Sequence, residues 1–344
     1  TNTVTFASVS DRLAVQSNGN TFNNVTFNGS GWYLADAMDV NGTFSLVSGT
    51  FDQSGSTLNV SGNTLIAVGT NFVKANNNAL LTFDGYLILE DDVGASLGDV
   101  RIGASPDVIT LSGALRVDSL RIGTGNTLDT DGFDVAVGSG DLFLHGLLDA
   151  TNVGARRSQI TVSGSWLATG TGDFVAGSSE VVFNAVGTNH TITASGAFYD
   201  LTFNASGATY TATGTDVTVT RRLGVADGTV TIDTAALDLN GDFTQTGGTV
   251  IAPAAITLSG TWLRAGGVFT HNSGSVTLDG THQTISGSTT FFALNKAATV
   301  DSMLTFATSG TQSVSGTLSL QGPSNSFLRL RSNVTGSQAQ LRLS

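Results

Sequence analysis

Few residues in this chain combine the types and spacing that chemistry demands. The four histidines, His145, His190, His271 and His282, are scattered, and none stands in an HxH or HExxH spacing that would hold a metal ion. His271 falls at an expected inward position and His282 in a column of large packing side chains, so structural, hydrogen-bonded roles are expected of both. Glu90, Asp91 and Asp92 form an acidic run. Calcium takes several oxygen ligands and could sit there, but carboxylates on a solvated turn give the same pattern. The pairs Arg156-Arg157 and Arg221-Arg222 could grip a carboxylate or sulfate on a glycan; at exposed corners they would instead limit self-association. Trp32, Trp166 and Trp262 could stack on sugars if exposed. Glycosidases need paired carboxylates at a set separation and lyases a base beside charge-neutralising cations, and neither stands out. The sequence therefore nominates no catalytic, cofactor-binding or metal-ligating residue and implies no cofactor.

What must position these residues is a repeat, clearest over 217–287. Four lines start at Val217, Leu237, Ile256 and Val276, spaced 20, 19 and 20 residues apart. Each opens with an apolar pair two apart: Val217/Val219, Leu237/Leu239, Ile256/Leu258, Val276/Leu278. In the last three a small polar residue and glycine follow (Asn240-Gly241, Ser259-Gly260, Asp279-Gly280). A third large side chain comes six residues after the start: Leu223, Phe243 and Trp262, with His282 in the fourth line. A second glycine comes eleven after it: Gly228, Gly248, Gly267 and Gly287. The opening phrase recurs upstream from Met38, Leu58, Leu81, Ile109, Leu142 and Ile160, and downstream from Leu318. A longer duplication of about 95 residues overlies it, with 160–201 resembling 256–294.

Such a unit cannot bury its own apolar face, and stacking of units is the usual remedy. Helical periodicity is weak throughout, while β-branched residues alternate with period two. The expected fold is all-β, a parallel β-solenoid with three short strands per rung of ~20 residues and glycine at the corners. Over 1–344 this predicts a single continuous solenoid of some 15–17 rungs, a rod roughly 75–80 Å long at ~4.8 Å per rung. Thr-x-Thr runs at 209–213, 218–220 and 229–231 invite comparison with a water-ordering threonine ladder. The relevant row, however, reads Asp39, Asn59, Thr82, Thr110, Phe143, Thr161, Thr218, Asp238, Thr257, Thr277, too mixed for a flat array.

Composition agrees. Only 12% of residues are charged, against about 25% in ordinary globular proteins, which suits stacked strands where long charged side chains would crowd. The net charge of −12 argues against nucleic acid as a partner. No apolar run approaches the ~18 residues of a membrane-spanning helix, so no membrane insertion is expected. Zero cysteines exclude disulfides and thiolate metal sites. The opening TNTVTFASVS alternates like a strand and lacks the features of a leader peptide, so an exported protein would be met here in its mature form.

The phrases LDLNGDFTQTGGTV and VNGTFSLVSGTF resemble the repetitive passenger regions of bacterial secreted β-solenoids, the autotransporters and filamentous-haemagglutinin-type adhesins. That resemblance implies export, a rod-like β-helix and a role in surface adhesion or matrix. The ends differ in charge: residues 1–60 hold Asp11, Asp36, Asp39 and Asp52 against Arg12, and residues 295–344 hold Lys296, Arg329, Arg331 and Arg342 against Asp301. Unpaired strand edges at a solenoid's end invite pairing, and a heterologous contact that does not close makes an open filament. The expectation is an extracellular or cell-surface structural protein without enzyme activity, stacked head to tail on itself through Asp11, Asp36, Asp39, Arg329, Arg331 and Arg342. A glycan- or cell-binding adhesin is the alternative, with surface or matrix glycans as partners, and a carbohydrate-active enzyme stands third.

Overall fold

The computed structural model describes residues 2–343 apart from 68, 74–80, 84–87, 92–95, 104–107 and 153, with backbone alone at 88–91. Among the described residues there is no helix, and the strands pair in parallel as successive turns of a β-solenoid. The chain divides into two compact units, 1–179 and 180–344. The boundary falls inside the first copy of the duplicated block.

In the first unit one column runs Met38, Leu58, Leu81, Val100, Leu120, Leu142 and Trp166, each paired with the next. A second face carries Phe27 and Phe44 and a third Trp32 and Phe51; the rings of Phe27, Phe44 and Phe51 meet in the interior 4.7–5.6 Å apart, with Trp32 beside them. All are buried, each burial contributing roughly 1.5–3 kcal/mol. Two phrases sit elsewhere than their spelling suggests. Leu111 pairs with Leu89 on the face of Thr64 and Phe44, and Ile160 pairs with Val135, leaving Trp166 to follow Leu142. The reason is local: all three faces end in similar corners, so one phrase fits any of them.

In the second unit the rungs follow the sequence frame closely. Val217, Leu237, Ile256 and Val276 pair in succession, as do Leu223, Phe243 and Trp262. The next member of that second column is Ile285, not His282. His282 is exposed and pairs with Met303. Ile256 and Trp262 are six residues apart, whereas Val276 and Ile285 are nine apart, so this rung carries three extra residues before the column resumes. Gly287 accordingly leaves the second glycine column. It adopts φ +79°, and a Cβ there would lie 1.6 Å from the Arg264 carbonyl oxygen, so only glycine fits.

Candidate functional site

The second unit holds most of the charged groups that are neither simply solvated nor simply packed. Beside a register shift between Phe198 and Asp200, the Asp200 side chain is fully buried in the row of Glu180 and Arg222. Arg221 Nε donates to Asp200 Oδ1 at 2.9 Å and its Nη2 to Oδ2, a bidentate pair that raises the Arg221 pKa. Arg222 lies 3.5 Å from Glu180. Both arginines of this pair are thus matched by carboxylates within their own unit, which removes the free anion grip envisaged for them. In the first unit Arg156 stacks over Phe133, 4.4 Å from its ring centre.

The lengthened rung creates a polar corner on the inside. Gln283 is buried, and its Nε2 donates to the Leu258 carbonyl at 2.7 Å and the Gly260 carbonyl at 3.1 Å. Lys296, two residues after Leu294 in the apolar column, is also buried and stacks against Leu320. Its ammonium donates to Gly280 O and Gln283 Oε1, each at 2.6 Å, and reaches Leu278 O at 3.5 Å. Burial lowers its pKa, and Asp279 partly opposes that.

On the outside of the same region lies an open groove of about 530 Å³, lined by Leu263, Arg264, Gly267, Ser286, Ser288 and Ser309 among others. Arg264 is half-buried. It donates through Nε to Gln245 Oε1 at 2.8 Å, through Nη1 to Ser288 O at 2.7 Å and through Nη2 to Gly267 O at 2.8 Å. Burial lowers its pKa. A second groove, of about 400 Å³ in the first unit, is lined by Asp11, Arg12, Trp32 and Asp52, and so carries both signs of charge.

The remaining candidates resolve as follows. Trp32, Trp166 and Trp262 are buried in the core. His271 is half-exposed rather than inward, at a corner where its Nδ1 accepts from Ser273 N–H at 3.0 Å. His145 Nδ1 lies 2.9 Å from Thr169 Oγ1. The acidic run at Glu90, Asp91 and Asp92 lies outside the described residues as far as its side chains are concerned. Among the described residues no three His, Cys, Asp or Glu side chains converge as a metal site requires.

The expected joint residues are unevenly placed. Arg329 and Arg331 lie on Leu328–Ser332 and Arg342 on Gln340–Leu343, the last strands of their faces. Arg329 pairs with Asp301 at 2.9 Å. Asp301 is held ionised below the usual carboxylate range, chiefly by the Ser326 hydroxyl, with the Phe327 N–H and Arg329 adding to it. Asp11 lies in the first rung, but Asp36 and Asp39 belong to the second. Asp36 accepts from the Ser17 and Asn18 N–H groups, both at 2.7 Å. The Ser17 bond above all lowers its pKa. Asp39 accepts from Asn59 Nδ2 at 2.7 Å.

On the first and last of the described strands, column members are more exposed than the partners they pair with. Leu304 is fully buried, yet its partner Leu330 is 51% exposed; Val314 is buried, yet its partner Leu343 is 69% exposed. In the first rung Val4, partner of buried Val25, is 40% exposed.

No protein-family model, characterised protein or solved structure matches this chain. Its function must therefore be argued from the surfaces above. The sequence does not single out Asp200 or Arg264, and it counts Lys296 among the charges of 295–344, whereas the side chain is buried. For Lys296 a signal existed, because Leu294-Asn-Lys296 places a lysine where the phrase requires an apolar residue. Nothing local marks Asp200, whose burial accompanies a bulge.

Proposed function

We propose that this chain is a structural protein, the subunit of a filament or surface fibre in which one copy's last rung receives another copy's first. One observation carries the reading: successive rungs pair in register through continuous inward columns, such as Val217, Leu237, Ile256 and Val276, an architecture that lengthens by adding further rungs. An exposed edge with an apolar face is a template for a further parallel strand. In a head-to-tail joint of this kind Arg331 and Arg342 would oppose Asp11 and give the joint a polarity. Arg329 contributes less, since Asp301 already neutralises it. An extracellular or cell-surface setting belongs to the same proposal and rests on the composition and the resemblance to secreted solenoids.

The test is electron microscopy of the purified protein across a concentration series, beside a variant carrying Leu330→Glu and Leu343→Glu. Fibres of uniform width in the parent and single particles in the variant are expected. Monodisperse short particles from the parent at the highest concentration would overturn the proposal, as would fibres from the variant.

A further inference from the structure

The geometry points to the Arg264 groove as a binding site for an anionic saccharide, with the guanidinium receiving a carboxylate or sulfate group. The first support is charge. Arg221, Arg222 and Arg329 all face carboxylates, whereas the three partners of Arg264 are neutral oxygens, from Gln245, Ser288 and Gly267. No acidic residue lines the groove. A guanidinium has five N–H donors, and the three bonds leave one on each terminal nitrogen. A half-buried cation with donors to spare and no counter-ion is the arrangement that favours an oxyanion ligand.

The second support is shape and lining. The groove arises because the rung above is built differently: Ser286 stacks on Leu263, and Gly287 crosses directly over the Arg264 carbonyl. Between Trp262 and Phe269 the chain takes seven steps, but between Ile285 and Phe291 only six, so the upper corner retracts and leaves a recess of about 530 Å³. Ser286, Ser288 and Ser309 and the glycines Gly266, Gly267 and Gly287 line it, the Ser288 hydroxyl also accepting the Thr311 N–H at 3.1 Å, with Leu263 as its large apolar residue. Such walls offer hydroxyl-to-hydroxyl hydrogen bonds and little hydrophobic grip, which suits a sugar better than an apolar ligand. The three bonds already made fix the guanidinium plane, so little side-chain entropy is lost on binding. The site does not depend on whether the chain stacks into filaments.

Calorimetric titration would test this with three probes: a uronate oligosaccharide, a sulfated oligosaccharide and a neutral oligosaccharide of the same length, with inorganic sulfate as a fourth arm. Binding of at least one acidic oligosaccharide is expected, weakening with salt and roughly tenfold or more weaker in Arg264→Gln. Because Arg264 also holds its corner, a second variant, Ser309→Asp, brings a carboxylate to the groove without touching those three bonds. It should abolish binding while leaving circular dichroism and thermal unfolding unchanged. Equal affinity for the neutral sugar, binding of inorganic sulfate only, binding that survives Ser309→Asp, or no binding of any probe would each overturn the assignment.

Discussion

The buried Lys296–Gln283 pair supports a prediction in which the double variant departs from the sum of the singles. Gln283→Leu removes the acceptor at 2.6 Å from the ammonium and the two bonds from Nε2 to Leu258 O and Gly260 O. A bond to a charged group is worth ~1.5–3 kcal/mol and a neutral one ~1 kcal/mol, so this variant should lose roughly 3–5 kcal/mol. Lys296→Met removes the charge itself. It leaves Gly280 O and Gln283 Oε1 short of a donor, at about 1–3 kcal/mol for a buried acceptor, but also relieves the ammonium's desolvation. Its net loss should be smaller, roughly 1–2 kcal/mol. The double variant replaces the pair by apolar side chains in an apolar column and should sit well above the sum of the singles, with a coupling of roughly 1–3 kcal/mol.

Urea unfolding in a background where Trp32 and Trp166 are phenylalanine would read the second unit through Trp262, which is buried and bonds Thr289 Oγ1 at 3.0 Å. The pH dependence has a defined sign. Burial holds the folded Lys296 pKa below its ordinary 10.5. Below the folded value both states are protonated and the desolvation penalty is complete. As pH rises through that value the folded state releases its proton first, the unfolded state binds more protons, and the parent gains stability until pH passes 10.5. Lys296→Met should therefore look more destabilising at pH 10 than at pH 7. Additive single-variant losses, or a parent–variant gap that closes as pH rises, would refute the reasoning.

Two other predictions concern the backbone and a tyrosine. Gly287→Ala should cost roughly 3 kcal/mol or more, because the Cβ meets the Arg264 carbonyl 1.6 Å away at positive φ. Gly207→Ala, at φ +74° with open space around its Cβ, should cost only about 1 kcal/mol, and equal urea midpoints for the two would contradict the close-approach argument. Burial pushes the Tyr210 phenol up from 10.0 to about 12, although its oxygen accepts the Ala185 N–H at 2.9 Å. The folded state then holds the extra proton between those values, so stability is whole below pH 10.0 and falls as pH climbs to about 12. Tyr210→Phe should flatten that alkaline limb; superimposable stability–pH curves would count against it.

The fold was legible because the signal is collective. Val217, Leu237, Ile256 and Val276 are unremarkable apolar residues singly, and only their recurrence at one interval fixes a column, which the pairing reproduces. Placement within the rung was less legible, for a physical reason. An apolar pair followed by a polar residue and glycine describes any face that ends in a corner. Ile109 and Ile160 therefore share the phrase of Leu142 but stand on other faces. His282 misled for the converse reason: counting six residues assumes corners of constant length, and this rung spends three more before Ile285 resumes the column.

Those departures from period are where the chemistry of this chain collects. In a regular rung each outward side chain stands over its equivalent one turn away, so the surface is a set of shallow rows and most inward positions are apolar, with Gln245 and Thr64 as buried polar exceptions. A rung of different length breaks both conditions at once. Inside, the added residues around Gln283 bring backbone carbonyls of Leu258, Gly260 and Gly280 to a corner that only polar side chains can satisfy, and Lys296 completes it. Outside, the same rung draws back at 286–288 and exposes Arg264 on the rung below. The bulge at Phe198 and Asp200 accompanies another buried charge, a carboxylate that the exposed Arg221 covers with a bidentate pair. A buried charge in a solenoid of this kind thus marks a change in rung geometry, and a concave surface is to be sought on the outer side of that change.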